Sequence, residues 1–211
     1  MRRPSGTKRA RSSRRSARVP SSSSKVDGAL DAALRARRAA RRLHSVSDVA
    51  RALDRMAAAL EAPLAAANPV VLAVMHGGAF AALELSRRFK FPHEFDYVHV
   101  TRYRGGVLGR KLVWRTRPSK TLAGRSVLVV DDILDHGTTL HALQRELDRL
   151  GVAAQRTAVL VVKRRRRVGR QPRVNVSGLA VDDLYVFGSG MDYRGYWREL
   201  GGIYGIEAEE S

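Results

Sequence analysis

The chain has 211 residues and a formal net charge of +19, with 39 Lys and Arg against 20 Asp and Glu. That length suits one domain, and 44% hydrophobic residues can enclose a core. With no cysteine, disulfides and thiol chemistry are excluded, and no apolar run approaches the roughly 20 residues that a membrane-spanning helix needs. A soluble, cytoplasmic chain is expected.

The charge is unevenly placed. Residues 1–42 hold fourteen basic and two acidic side chains, a balance of +12, which leaves +7 for the rest. Residues 1–25 are Arg, Ser and Lys with almost no large apolar side chain, so burial cannot offset their ordering entropy. The expected division is therefore a basic, disordered tail over 1–42 and a folded domain over 43–211. The tail lacks the apolar stretch of a secretory signal, and its composition also suits an organellar transit peptide. A solvated tail is the simpler reading, and contact of its charges with RNA or DNA would be unspecific.

From Gly28 an Ala/Arg-rich stretch reads as helical. A better helix opens at Ser47-Asp48-Val49, where Ser47 or Asp48 can cap it, and runs to about Leu60. Val49, Leu53, Met56 and Leu60 form one apolar stripe, a core face. Val70 to Met75 reads as a buried strand, followed by His76-Gly77-Gly78 and a helix over Ala79–Phe89. Paired glycines at such a junction let backbone N–H groups approach a ligand, although a tight turn alone would also use them. Phe95 to Tyr103 alternates as a strand does. Arg102 to Arg117 is basic, bears Gly105 and Gly106, and is too long for a tight connection; it reads as a functional loop or as a hairpin on Leu112-Val113-Trp114.

The most informative stretch begins at Ser126. Val127 to Val130 reads as a strand buried on both faces, at whose end Asp131 and Asp132 arrive. Asp135, His136, Gly137, Thr138 and Thr139 then lead into a helix whose Leu140, Leu143, Leu147 and Leu150 recur at helical spacing until Gly151. A helix start with unbonded N–H groups and flanking hydroxyls attracts phosphate. Adjacent carboxylates at a sheet edge repel and are costly to desolvate, so they call for hydroxyls or a cation. Together these parts suit a phosphorylated sugar, with Mg²⁺ ordered beside it. Farther on, Thr157 to Val162 is a third apolar strand ending in Lys163, after which Arg164 to Arg167 read as a solvated charge run. Leu184 to Tyr193 is an aromatic strand followed by a Gly188-Ser189-Gly190 turn.

The 126–139 stretch resembles the sugar-diphosphate signature of the type I phosphoribosyltransferases, and Leu184 to Tyr193 resembles the base hood of their hypoxanthine-guanine branch. The likeness covers roughly residues 45–205. His136 stands where the family usually has threonine, and His76 where the branch has lysine or asparagine. The resemblance implies an α/β fold, a mainly parallel twisted sheet flanked by helices, with a small hood formed by the two ends of the chain and a flexible loop. It also implies transfer of the 5-phosphoribosyl group from phosphoribosyl pyrophosphate to hypoxanthine or guanine, in purine salvage.

The resemblance also assigns roles residue by residue. Asp131 and Asp132 would hold the ribose hydroxyls and Mg²⁺, and His136, Gly137, Thr138 and Thr139 would cradle the 5-phosphate. His76, Gly77 and Gly78 would meet pyrophosphate, with Arg198, and Tyr103 would close the loop over the site. Lys163 would donate to the purine's exocyclic oxygen, which an adenine amino group cannot replace. Tyr185 would stack on the base, the Val186 backbone would pair with its edge, Asp192 would bind a second Mg²⁺, and Asp135 would take the N7 proton as general base. A dimer or tetramer is usual in such enzymes. The alternatives are a nucleic-acid-binding regulator on the same fold and a transferase for xanthine or a pyrimidine.

Overall fold

A computed structural model describes residues 22–102, 112–167 and 169–207. In chain order the elements are α1 (Ser22–Ala39), β1 (Arg41–His44), α2 (Val46–Leu64), β2 (Val70–Val74), α3 (Gly78–Ser86), β3 (Glu94–Arg102) and β4 (Leu112–Thr116). They continue with β5 (Ser126–Leu134), α4 (Thr138–Arg149), β6 (Ala154–Lys163), β7 (Val176–Val181), β8 (Tyr185–Phe187) and β9 (Ile203–Ile206).

Six strands form the main sheet in the order β4-β3-β2-β5-β6-β7, parallel throughout except where β4 turns back on β3. The continuous Val-rich runs are explained by burial on both faces. Along β5, Leu128 and Val130 join the core under α2 and α3, whereas Val127 and Val129 join the core under α4. Likewise Val71 and Ala73 of β2 point to the first core, and Val70, Leu72 and Val74 to the second. The α/β expectation is met: helices cover both faces of a mostly parallel sheet.

The boundaries differ from expectation where local chemistry was misjudged. Helix α2 is capped by Ser45, because Ser45 and Asp48 exchange bonds three residues apart: Asp48 N–H donates to Ser45 Oγ at 3.2 Å, and Ser45 N–H to Asp48 Oδ2 at 2.8 Å. It runs to Leu64, past the expected Leu60. Helix α3 starts at Gly78 and ends by Ser86. Strand β5 does not stop before the acids, since its ladder with β6 carries on through Asp131, Ile133 and Leu134. Leu112 to Thr116 is the hairpin partner of β3, so only residues 103–111 of the expected loop, Tyr103 among them, lie outside the described residues.

A second sheet, β1-β9-β8, is antiparallel and forms the hood. The boundary expected at residue 42 falls inside it. Ala33 and Ala36 of α1 are buried against Phe187 and Tyr193, and Trp197 Nε1 donates to the Ala33 carbonyl at 2.7 Å. The alanine spacing in a stretch dominated by arginine conceals this packing face, because the Arg stems lie around it: Arg37 sits 4.0 Å over the Tyr204 ring.

Candidate active site

Strand order reverses between β2 and β5: from β2 the sheet grows outward through β3, and from β5 through β6. In open α/β sheets this reversal opens a crevice beyond the carboxyl ends of the two strands. Shortly after β2 come His76, Gly77 and Gly78, and near the end of β5 stand Asp131 and Asp132. Sequence segments some fifty residues apart therefore meet at one edge.

The glycines are required by this meeting. A Cβ on Gly77 would lie 1.6 Å from Asp132 Oδ2, and one on Gly78 would lie 2.5 Å from the Val130 carbonyl oxygen. Gly190 from the hood turn completes the contact with φ +101°, where a side chain would strike the Gly77 carbonyl at 2.3 Å. The peptide between Met75 and His76 is cis, and the His76 ring lies edge-on to His99 with centroids 4.6 Å apart.

Asp131 and Asp132 accept from backbone: Asp132 N–H donates to Asp131 Oδ1 at 3.0 Å, and Ile133 N–H to Asp132 Oδ1 at 2.9 Å. Burial raises the pKa of both, and the Asp132 carboxylate raises that of Asp131 further, while hydrogen bonds and Arg198 oppose the rise at Asp132. A carboxyl held above its ordinary range costs stability only once it must ionise. The cost is absent below the unfolded pKa and grows as pH climbs toward the folded value. Asp131→Asn keeps an acceptor oxygen and should melt higher than wild type at pH 7 without ligands, by about 2–4 °C per kcal/mol recovered. Circular dichroism melts should see the gap close at pH 4; a variant that melts lower at pH 7 would contradict the pKa direction.

Beside Asp132 a cavity of about 220 Å³ is lined by Asp132, Ile133, Asp135, Lys163, Tyr185, Val186, Met191 and Asp192. It thus gathers residues from the ends of β5 and β6 and from the hood. Lys163 Nζ lies 3.3 Å from Asp135 Oδ2, and Arg165 Nη1 lies 2.7 Å from Asp135 Oδ1. Burial works to raise the Asp135 pKa, but Lys163 and Arg165 outweigh it, and the carboxyl is held below its ordinary value. Asp192 accepts from the Gly195 N–H at 2.6 Å and pairs with Arg198 at 2.6 Å, while Arg198 Nη1 also donates to the Gly190 carbonyl at 2.6 Å. Tyr185 as a residue is 40% exposed, and its ring is braced edge-on by Tyr193.

Residues 136–139 lead from Asp135 into α4 and are not among the residues that line this cavity. Gly137 has φ +75° and starts α4, and a Cβ there would meet Pro172 at 2.7 Å. Arg167 and Arg173 are anchored nearby. Arg167 donates to the carbonyls of Leu134, Asp135 and Lys163 at 3.0, 2.7 and 2.7 Å, and the buried Gln144 carboxamide bonds both the N–H and the carbonyl of Arg173. A larger cavity, about 790 Å³, lies between α4, the start of β6 and residues 170–175, and holds none of the residues expected in the site. Arg165, Arg167, Asp183 and Gly190 escaped the sequence reading. The spacing of Arg165 and Lys163 on one extended segment was the available signal.

The family model of the phosphoribosyl transferase domain matches residues 40–193. The chain belongs to the phosphoribosyltransferase family. It is 28% identical over 158 residues to the hypoxanthine-guanine-xanthine phosphoribosyltransferase of Tritrichomonas foetus, covering 75% of this chain and 86% of that protein. It is 31% identical over 134 residues to the hypoxanthine-guanine phosphoribosyltransferase of Lactococcus lactis, covering 63% and 72%. Among solved structures, a hypoxanthine phosphoribosyltransferase from Staphylococcus aureus superposes with a TM-score of 0.74 at 24% identity, over 79% of this chain and 91% of that one. A hypoxanthine-guanine-xanthine phosphoribosyltransferase does so at 0.72 and 27%, over 80% and 97%. No helix among the described residues is long and apolar enough to cross a membrane.

Proposed function

We propose that this phosphoribosyltransferase makes IMP and GMP from phosphoribosyl pyrophosphate and hypoxanthine or guanine, releasing pyrophosphate. The observation that carries the reading is the single cavity shared by Asp135, Lys163, Tyr185, Val186 and Asp192, opening beside Asp132 and the Gly77-Gly78 turn. Tyr185 stacks on the purine, the Val186 backbone meets its edge, Lys163 donates to the 6-oxygen and Asp135 accepts the N7 proton. The stretch from His136 through Thr139 receives the 5-phosphate at the start of α4. His76, Gly77, Gly78 and Arg198 face the pyrophosphate, whose negative charge grows as the bond to the sugar breaks.

The donor set fits Mg²⁺. Among the described residues no three acids or histidines cluster as a metal cage, and Mg²⁺ characteristically takes one or two carboxylates and completes its shell with water and substrate phosphates. Asp131 and Asp132, both disfavoured as bare anions, would hold one ion and Asp192 a second, and the ions would neutralise charge on pyrophosphate. Self-association in a dimer or tetramer is supported by exposed Val46, Phe80 and Leu83, which share one groove.

Spectrophotometric assays with each base test the reading. Hypoxanthine and guanine should turn over with Mg²⁺ and phosphoribosyl pyrophosphate, and adenine should fail because it offers Lys163 no acceptor oxygen. Absence of product from every oxopurine, together with salt-sensitive affinity for nucleic acid, would replace the enzyme with a regulator. A preference for xanthine or a pyrimidine would correct the base alone.

A further inference from the structure

Four charged side chains alternate in a closed ring at the base cavity. Lys163 Nζ is 3.3 Å from Asp135 Oδ2, Asp135 Oδ1 is 2.7 Å from Arg165 Nη1, Arg165 Nη1 is 3.3 Å from Asp183 Oδ1, and Asp183 Oδ1 is 3.7 Å from Lys163 Nζ. Of these four, Asp135 and Lys163 line the cavity, and Arg165 and Asp183 do not. The groups facing Asp135 are thus Lys163 from β6, Arg165 from the segment after it, and its neighbour His136 at 3.3 Å. Asp132, Asp192 and Tyr185 line the same cavity, Asp183 faces the two cations, and among the described residues Arg167 bonds the main-chain carbonyls of Leu134, Asp135 and Lys163.

We propose that Arg165 is a positioning residue, which with Asp183 holds Asp135 and Lys163 in place to read the Hoogsteen edge of the base. The inference rests on the activity proposed above. Two cations and two carboxylates leave the ring neutral, so the base is met by directed hydrogen bonds rather than by a net field. Without Arg165 the ring carries one excess negative charge, and both carboxylates compete for Lys163. That competition draws Lys163 away from the purine oxygen and leaves Asp135 with one cation fewer to favour its anion. Asp183→Asn unbalances the ring the other way, and removing both charges restores neutrality.

The test compares wild type, Arg165→Met, Arg165→Lys, Asp183→Asn and Arg165→Met/Asp183→Asn in steady-state turnover across pH. Arg165→Met should raise KM for the base about tenfold with a smaller change in kcat. It should also move the acid limb of kcat/KM upward by about one pH unit, the low end for losing a neighbouring opposite charge. The lysine variant and the charge-balanced double variant should return KM to within about threefold of wild type. A merely structural arginine would lower thermal stability in both Met variants without moving the limb, and that result, or a double variant no better than the single, overturns the proposal. A second measurement needs no turnover: the Asp135 carboxyl, followed by carbon-13 NMR, should titrate about one unit higher in Arg165→Met. Wild type inactive on every base would defeat the activity reading, and the NMR titration would still decide the ring, with coincident curves overturning it.

Discussion

Asparagine at position 135 is expected to lower kcat for hypoxanthine and guanine by about 10²- to 10⁴-fold, the usual contribution of a positioned general base. The amide keeps the shape of the carboxylate and an acceptor for Arg165 or Lys163, but it cannot take the N7 proton. The KM for phosphoribosyl pyrophosphate should stay near that of wild type, because Asp135 lines the base cavity while the crevice acids are Asp131 and Asp132. Since Asp135 is held below its ordinary value, the wild-type base stays ionised through neutral pH, and activity should fall only as pH drops toward that depressed value. The acid limb belonging to this group should vanish in the asparagine variant. Steady-state rates from pH 9 down to below the ordinary carboxylate pKa of about 3.9 check both points, and a variant as fast as wild type would place the base elsewhere.

Gly77→Ala is expected to abolish measurable transfer, with a loss of at least about 10²-fold, because an added methyl would drive Asp132 from its position. The new Cβ would sit 1.6 Å from the carboxylate and 3.0 Å from the Gly190 carbonyl, so relief requires the acid to swing away or the hood turn to lift. Displacements of about 1 Å at a reacting centre can cost about 10²-fold, and forcing a methyl into a filled space costs about 1–3 kcal/mol. Urea unfolding and turnover measured together distinguish the two effects. A variant that stays folded at assay temperature yet fails to react locates the fault at Asp132, and a fully active alanine variant would show that the close approach is dispensable.

The central sheet was largely legible in the sequence because its strands are buried on both faces and therefore announce themselves as unbroken Val and Leu runs. The acidic pair followed by Asp135, Gly137 and Thr138 was legible for a different reason, since few other tasks need that order of residues. The hood was harder. Its strands β1, β8 and β9 are three or four residues long, and α1 hides two buried alanines, Ala33 and Ala36, among arginines. A composition rule sees the charge and misses the packing face. Arg165 was hidden likewise: within a run of four arginines, sequence cannot show that one turns toward Asp135, another binds three carbonyls and Arg164 meets Asp182 in solvent. Those distinctions arise from the twist of the extended chain leaving β6 and from partners at residues 134–135 and 182–183.

The hood sheet joins residues 41–44 to residues 203–206, with β8 on the outer side of that late strand. Such distant pairing must wait for the whole intervening chain. During synthesis the crevice between β2 and β5 can therefore mature while the hood still lacks its last strand, and a chain clipped ahead of Ile203 would keep the proposed pentose site but lose the strand that β1 and β8 both pair with.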